Sequence, residues 1–258
     1  MRLPKHPVPM TTVFRHCLLA NYAITPQALA AVLPAPLVPD LASGRAWLSV
    51  VIADMWRMRP AGVPAALGVS YRQVVYRAVV RCGPSRGVYF LRSDSDSRAM
   101  NTGGNLLSFF RFHHATVAWT RHLDRQRVTV ASSDGTADID LTLGTGALRA
   151  LPAGSAFPAL AQAREHLVDL FTAYHPQDRQ RRIDVVRIKR EDWQIAVLPV
   201  ISARCAFLDG AGPIPAGHTR LDSVFAVQDL PYYWHRLRVD GIPGDAPDRA
   251  QPLGKQDT

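Results

Sequence analysis

The run from Arg45 to Arg59 constrains this chain more than any other segment. Along it Trp47, Val51, Ala53 and Met55 alternate with Leu48, Val50, Ile52 and Trp56. Side chains on a strand point to opposite faces in turn. Both faces of this segment are therefore largely apolar, which predicts a long buried strand. The rest of the chain repeats the theme. Val13 to Ala23 reads as a strand, and so do His113 to Arg121, Arg127 to Ser132 and Thr136 to Leu143. Ile183 to Arg190, Gln194 to Leu208 and Arg220 to Val227 follow. Val69 to Arg81 and Gly87 to Arg92 bracket a Gly/Pro turn at residues 82–86, the pattern of a hairpin.

Helical signals are few. Thr25-Pro26 opens a short helix with Leu29, Val32 and Leu33 at helical spacing, and Pro34 and Pro36 stop it. Ser95 to Leu107 has helical character behind an acidic start at Asp94 and Asp96, and Gly103-Gly104 is expected to end that helix. Ser155 to Tyr174 carries one apolar stripe of Leu160, Ala163, Leu167, Leu170 and Phe171. Many strands with two or three peripheral helices predict an α+β fold built on a mostly antiparallel β-barrel, since closure removes exposed strand edges. The expected organisation is a single domain over residues 13–240. Residues 1–12 form an extended arm, and residues 241–258, rich in Gly, Pro and Asp, form a disordered tail.

Composition excludes several classes of function. The formal charge is +9, and 27 of the 30 basic residues are arginine. The densest cluster is Arg179, Arg181, Arg182, Arg187, Lys189 and Arg190, without interleaved aromatics, so a solvated face is expected and no nucleic-acid partner. Cys17, Cys82 and Cys205 lie far apart in apolar surroundings and read as core thiols of a reduced, cytoplasmic protein. The first residues lack the apolar run of a signal peptide, and no stretch has the length of a membrane span.

The chemistry-bearing residues point to a pocket more firmly than to a reaction. Tyr71, Gln73, Val75 and Arg77 share one strand face. Turned inward beside Arg72 and Arg111, that face suits a small carboxylate, with arginine supplying a bidentate fork and Gln73 a neutral partner. The other reading turns the same face outward. His113 and His114 are adjacent and would point to opposite sides of a strand, so they do not chelate one metal, although His113 could line the cavity. Asp94-Ser95-Asp96-Ser97 lacks the later glycine and glutamate of a calcium loop. No phosphate-binding loop, dinucleotide fingerprint or nucleophile elbow is present. Neither a metal nor a cofactor is expected.

The order of elements carries a resemblance. A first strand leads to Ile24-Thr25-Pro26-Gln27-Ala28-Leu29 and on to Val32-Leu33-Pro34-Ala35-Pro36-Leu37. The Trp47 to Met58 strand follows, then Gly87-Val88-Tyr89-Phe90, Glu165-His166-Leu167 and Trp193. Over roughly residues 13 to 238 this resembles the YqjF-like family of uncharacterised bacterial proteins, within the acetoacetate-decarboxylase-like superfamily of β-barrels. The resemblance implies an arginine on the first strand at Arg15, and it implies a cavity arginine at Arg77. It puts Phe110 to Phe112 where the decarboxylases keep their catalytic lysines, with Arg111 the one basic residue there. Gln73 stands where family members tend to carry a glutamate. The resemblance therefore implies a cavity without the amine of Schiff-base chemistry, because arginine stays protonated.

The expected ligand-binding set is Arg15, Tyr71, Gln73, Arg77, Arg111 and His113. The expected function is binding of a small organic acid or ketone inside the barrel, with or without its transformation. Any reaction would rest on polarisation by Arg15 and Arg77. The alternatives are a non-catalytic sensor-like module and a structural or interaction protein. A homo-oligomer is compatible with the sequence, and no membrane partner is expected.

Overall fold

A computed structural model describes residues 8–177, 182–190, 194–235 and 238–241. The elements run β1 (Met10–Ile24), α1 (Pro26–Ala30), β2 (Val38–Pro39), β3 (Ala46–Pro60), a 3-10 turn (Ala65–Leu67), β4 (Val69–Cys82) and β5 (Ser85–Ser95). Next come α2 (Arg98–Leu107), β6 (Phe112–Arg121), β7 (Arg125–Ser132), β8 (Ile139–Gly144) and α3 (Leu160–Leu167). The chain ends through β9 (Thr172–Gln177), β10 (Arg182–Arg190), β11 (Ala196–Leu198), β12 (Val200–Cys205), β13 (Thr219–Trp234) and β14 (Arg238–Gly241).

The result is a sheet-dominated α+β fold with three helices among the described residues. Pairing runs from β5 through β9, β10, β13, β1, β3 and β4, and β4 pairs back to β5. Most pairs are antiparallel; β5–β6 and β5–β9 are parallel. A second branch, β6–β7–β8–β12, leaves the path at β5. The hairpin predicted at residues 82–86 joins β4 and β5, with Gly83 at φ 57°. That left-handed conformation favours glycine because it has no Cβ to clash.

Two cores lie on opposite sides of β1, β3 and β4, as the double-faced apolar run requires. One takes Trp47, Ala53 and Met55 of β3 together with Cys17, Leu19, Leu167 and Phe225. The other takes Leu48, Val50 and Ile52 together with Val128, Leu141 and Phe207 from the second branch and its flank. Burial of each such side chain contributes about 1.5–3 kcal/mol. Tyr76 Oη donates to the carbonyl of Ala137 (2.9 Å) and Arg72 Nη1 to that of Val117 (2.8 Å), tying the branch to β4. All three cysteines are buried and unbridged.

Three local expectations are corrected. The helix expected over 155–174 is only α3, and Thr172–Gln177 is strand β9. The carbonyls of Val168 and Leu170 are taken by Arg190 rather than by helical amides, which ends the helix early. Gly103 and Gly104 lie inside α2 rather than at its end. A Cβ on Gly104 would sit 2.5 Å from the Phe112 ring, so close approach and not capping requires glycine there. Residues 10–12 belong to β1 rather than to an arm. Residues 1–7, 242–258 and Trp193 lie outside the described residues, as do Arg179 and Arg181 of the basic cluster. No helix among the described residues is long and apolar enough to cross a membrane.

Candidate functional site

The alternation on β4 builds one wall of a cavity. Tyr71, Gln73, Val75 and Arg77 all line a space of about 430 Å³. Val74, Tyr76 and Ala78 point instead into the opposite core. Phe14, Cys17 and Leu19 of β1 and Val51, Ala53 and Met55 of β3 form the adjoining walls. Tyr232 and Trp234 close one side from the end of β13, and Met100, Gly103 and Leu107 of α2 line another. The lining is overwhelmingly apolar, with a few polar groups set into it. That composition orients a ligand by its polar end and holds it by its apolar surface.

Arg77 is the dominant charge. Only 7% of its surface is exposed. Its Nη2 donates to the carbonyl of Leu167 at 2.8 Å, while its buried Nε has no hydrogen-bond partner. No carboxylate among the described residues pairs with it. Burial and then the neighbouring Arg190 weaken its hold on the proton, partly offset by Tyr232. A guanidinium nevertheless stays protonated near neutral pH. Arg190 differs, because Asp169 lies 3.2 Å from its Nη2. A buried cation without a counter-ion is costly unless something supplies the missing charge.

The other polar groups are donors or inert. Tyr71 Oη donates to Gln73 Oε1 at 3.4 Å. Burial raises the Tyr71 and Tyr232 phenols, so both remain protonated donors. Burial likewise pushes the Cys17 thiol up to about 12, far from a reactive thiolate. Arg59 lines the outer end, with its Nε on the carbonyl of Val63 (2.9 Å) and its Nη1 on that of Arg57 (2.9 Å). Among the described lining residues there is no carboxylate, histidine or lysine. Of the three lysines, Lys189 is exposed on β10, and Lys5 and Lys255 lie outside the described residues. No cluster of metal-ligating side chains occurs among the described residues.

The structure brings together half of the expected set. Tyr71, Gln73 and Arg77 meet on the cavity wall, while Arg15, Arg111 and His113 do not reach it. Arg15 is exposed and lies 4.8 Å over the Trp56 ring. Register on both sides of β1 passes from Phe14 to His16 without a partner for Arg15, so the strand bulges there and its facing changes. Phe14 and Cys17, an odd number of residues apart, therefore both face inward. Arg111 precedes β6 and is exposed. Phe112 turns into the cavity, so His113, next on the strand, turns out, with its Nδ1 4.0 Å from Asp94.

Sequence reasoning missed Tyr232 and Trp234, because it ended the last long strand at Val227. The available signal was the Tyr232-Tyr233-Trp234 run, strongly β-prone, beyond Pro231.

Comparison with known proteins bears on the fold more than on the chemistry. The chain matches DUF2071, uncharacterized conserved protein (COG2071), over residues 11–225. None of the curated proteins matches it. Among solved structures it is similar to acetoacetate decarboxylase from Legionella pneumophila, at 15% identity, 91% and 88% coverage of the two chains and a TM-score of 0.62. It is similar to the enduracididine biosynthesis enzyme MppR with HEPES buffer bound, at 12% identity, 92% and 90% coverage and a TM-score of 0.60. MppR complexed with pyruvate gives 13% identity, 90% coverage of each chain and a TM-score of 0.58. At these identities the likeness establishes the fold.

Proposed function

Because the chain belongs to the DUF2071 family of uncharacterized conserved proteins, and that description carries no activity, we propose a function from the cavity itself: the protein binds a small organic carboxylic acid. The closed circuit of pairings from β5 round to β4 acts as a barrel about the ligand. The observation that carries the reading is Arg77, a buried guanidinium on an apolar wall without a carboxylate partner among the described residues. A ligand carboxylate supplies the missing charge through a charge-assisted hydrogen bond at the free Nε, and Gln73 and Tyr71 lie further along the same wall. Pyruvate in the similarly folded MppR supports the ligand class. Donors and a fixed positive charge suit binding and polarisation of an oxyanion. They do not form an imine, which needs an amine nucleophile.

Calorimetric titration with short monocarboxylic and 2-keto acids, beside their neutral amides, tests the reading. The acids are expected to bind and the amides not, and Arg77→Met should weaken acid binding about 100-fold, the loss of one buried charged contact. Equal binding of acids and amides, or an Arg77→Met protein that binds acids unchanged, overturns it. Borohydride added with a keto acid should leave no covalent adduct; a stable adduct removes the non-imine reading.

A further inference from the structure

The shape of the cavity says more about the ligand than its anionic end. The β4 wall runs from Val69 through Tyr71, Gln73 and Val75 to Arg77, every second residue facing the space. Eight residue steps of strand cover about 26 Å along the chain. The cavity, of about 430 Å³, extends along this length of wall. Arg77 at one end of this wall is 7% exposed and Tyr71 and Gln73 along it are equally buried, whereas Val69 and Leu67 at the other end are 40% and 73% exposed. The buried charge therefore sits at the enclosed end, and the open end carries the apolar Leu67 and Val69 beside Arg59, whose guanidinium is taken by the carbonyls of Val63 and Arg57. Met10, Met55, Met58 and Met100 also line the cavity, and thioether side chains adapt to a flexible chain better than rigid branched ones do.

We propose that the acid is amphipathic. Its carboxylate lies at Arg77, and an extended apolar chain of medium length runs along β4 to the rim at Leu67 and Val69. This rests on the reading of Arg77 as the anion anchor and adds the chemistry of the tail. An acid of two or three carbons would leave most of the channel empty of partner atoms, while a chain that reaches the rim covers the exposed apolar side chains there.

The test is a titration series of straight-chain carboxylates, butanoate to dodecanoate, below their micelle concentrations, with decan-1-ol as the neutral counterpart. Affinity should rise roughly fourfold per added methylene, the value of about 0.8 kcal/mol per buried CH₂, until the chain passes the rim. Decan-1-ol should bind at least 30-fold more weakly than decanoate. Gly103 of α2 lines the channel, and a Cβ there meets nothing within 4 Å. Gly103→Leu should therefore weaken decanoate and dodecanoate about tenfold more than it weakens butanoate. If acids bind with dependence on Arg77 but equally at every length, the tail inference fails and the anchor stands. If no acid binds, or if decan-1-ol matches decanoate, the anchor itself fails.

Discussion

Arg77 Nη2 reaches across 2.8 Å to the main-chain carbonyl of Leu167, joining a strand of the cavity wall to the last residue of α3. Arg190 takes the next carbonyls, with Nη2 2.5 Å from Val168 O and Nη1 3.4 Å from Leu170 O. The carbonyl end of a helix carries partial negative charge and has no internal donors. Two buried guanidiniums thus satisfy the end of α3, and the helix dipole makes their burial less costly. The arrangement holds Arg77 in place with its Nε still uncommitted.

An uncommitted buried charge strains the unliganded protein. Arg77→Met keeps an unbranched stem and removes the charge. It forfeits the bond to Leu167 O, about 1 kcal/mol, and relieves a desolvation cost of roughly 1–4 kcal/mol. The ligand-free variant is expected to melt about 2–4 °C higher than the parent. It should also lose the melting shift that carboxylates give the parent. Calorimetric melting of both proteins with and without acid reads this directly, and a variant that melts several degrees lower shows that the charge is already compensated.

The cavity wall was legible in the sequence because the Tyr71 to Arg77 segment keeps strict two-residue alternation. The double core was legible for the same reason in the Trp47 to Met55 segment. Arg15 rests on the resemblance alone, and the bulge at that residue, which no local signal marks, turns it away from the cavity. His113 failed by strand parity, set by where β6 begins. The short length of α3 depends on Arg190, more than twenty residues on in sequence, capturing its terminal carbonyls. Such a long-range contact leaves no trace in the periodicity of 155–174.

Arg92 holds a third buried guanidinium, this one fully partnered. Its Nε lies 2.8 Å from Asp94 Oδ2, its Nη2 2.8 Å from Asp94 Oδ1, and its Nη1 2.8 Å from Asp134 Oδ2. Asp94 is completely enclosed, and burial pushes its carboxyl up while Arg92 draws it down. Arg92→Met leaves that carboxylate without its cation and should cost about 3–5 kcal/mol in urea unfolding. Adding Asp94→Asn should recover part of the loss. A single variant within 1 kcal/mol of the parent would show that the pair contributes little.

The two adjacent glycines of α2 should behave oppositely. A methyl at Gly103 meets open space, and one at Gly104 meets the Phe112 ring at 2.5 Å. Gly103→Ala gains helix propensity and should stabilise by up to about 1 kcal/mol. Gly104→Ala must displace a buried aromatic ring and should cost about 1–3 kcal/mol. Urea denaturation of the two variants decides the matter, and equal midpoints would mean that α2 does not sit against β6 as described.

His166 gives the fold a pH dependence with a defined sign. Its Nδ1 lies 2.7 Å from Arg86 Nη2, and a guanidinium can only donate, so Nδ1 accepts and the proton resides on Nε2. That Nε2 is buried without a hydrogen-bond partner. Burial, and then the charge of Arg86, hold the imidazole below its ordinary value, although Asp40 Oδ2 at 3.7 Å pulls the other way. The unfolded chain therefore takes up the proton at higher pH than the folded one. Stability from this group is complete above about pH 6.5 and declines as pH falls through the lowered folded value. His16 is also lowered by burial and adds to the same window. Unfolding free energy measured between pH 7.5 and 5 should fall in the parent, and His166→Gln, whose side-chain carbonyl can still accept from Arg86, should flatten the slope. An unchanged slope in that variant would assign the pH dependence to His16 and the remaining titratable groups.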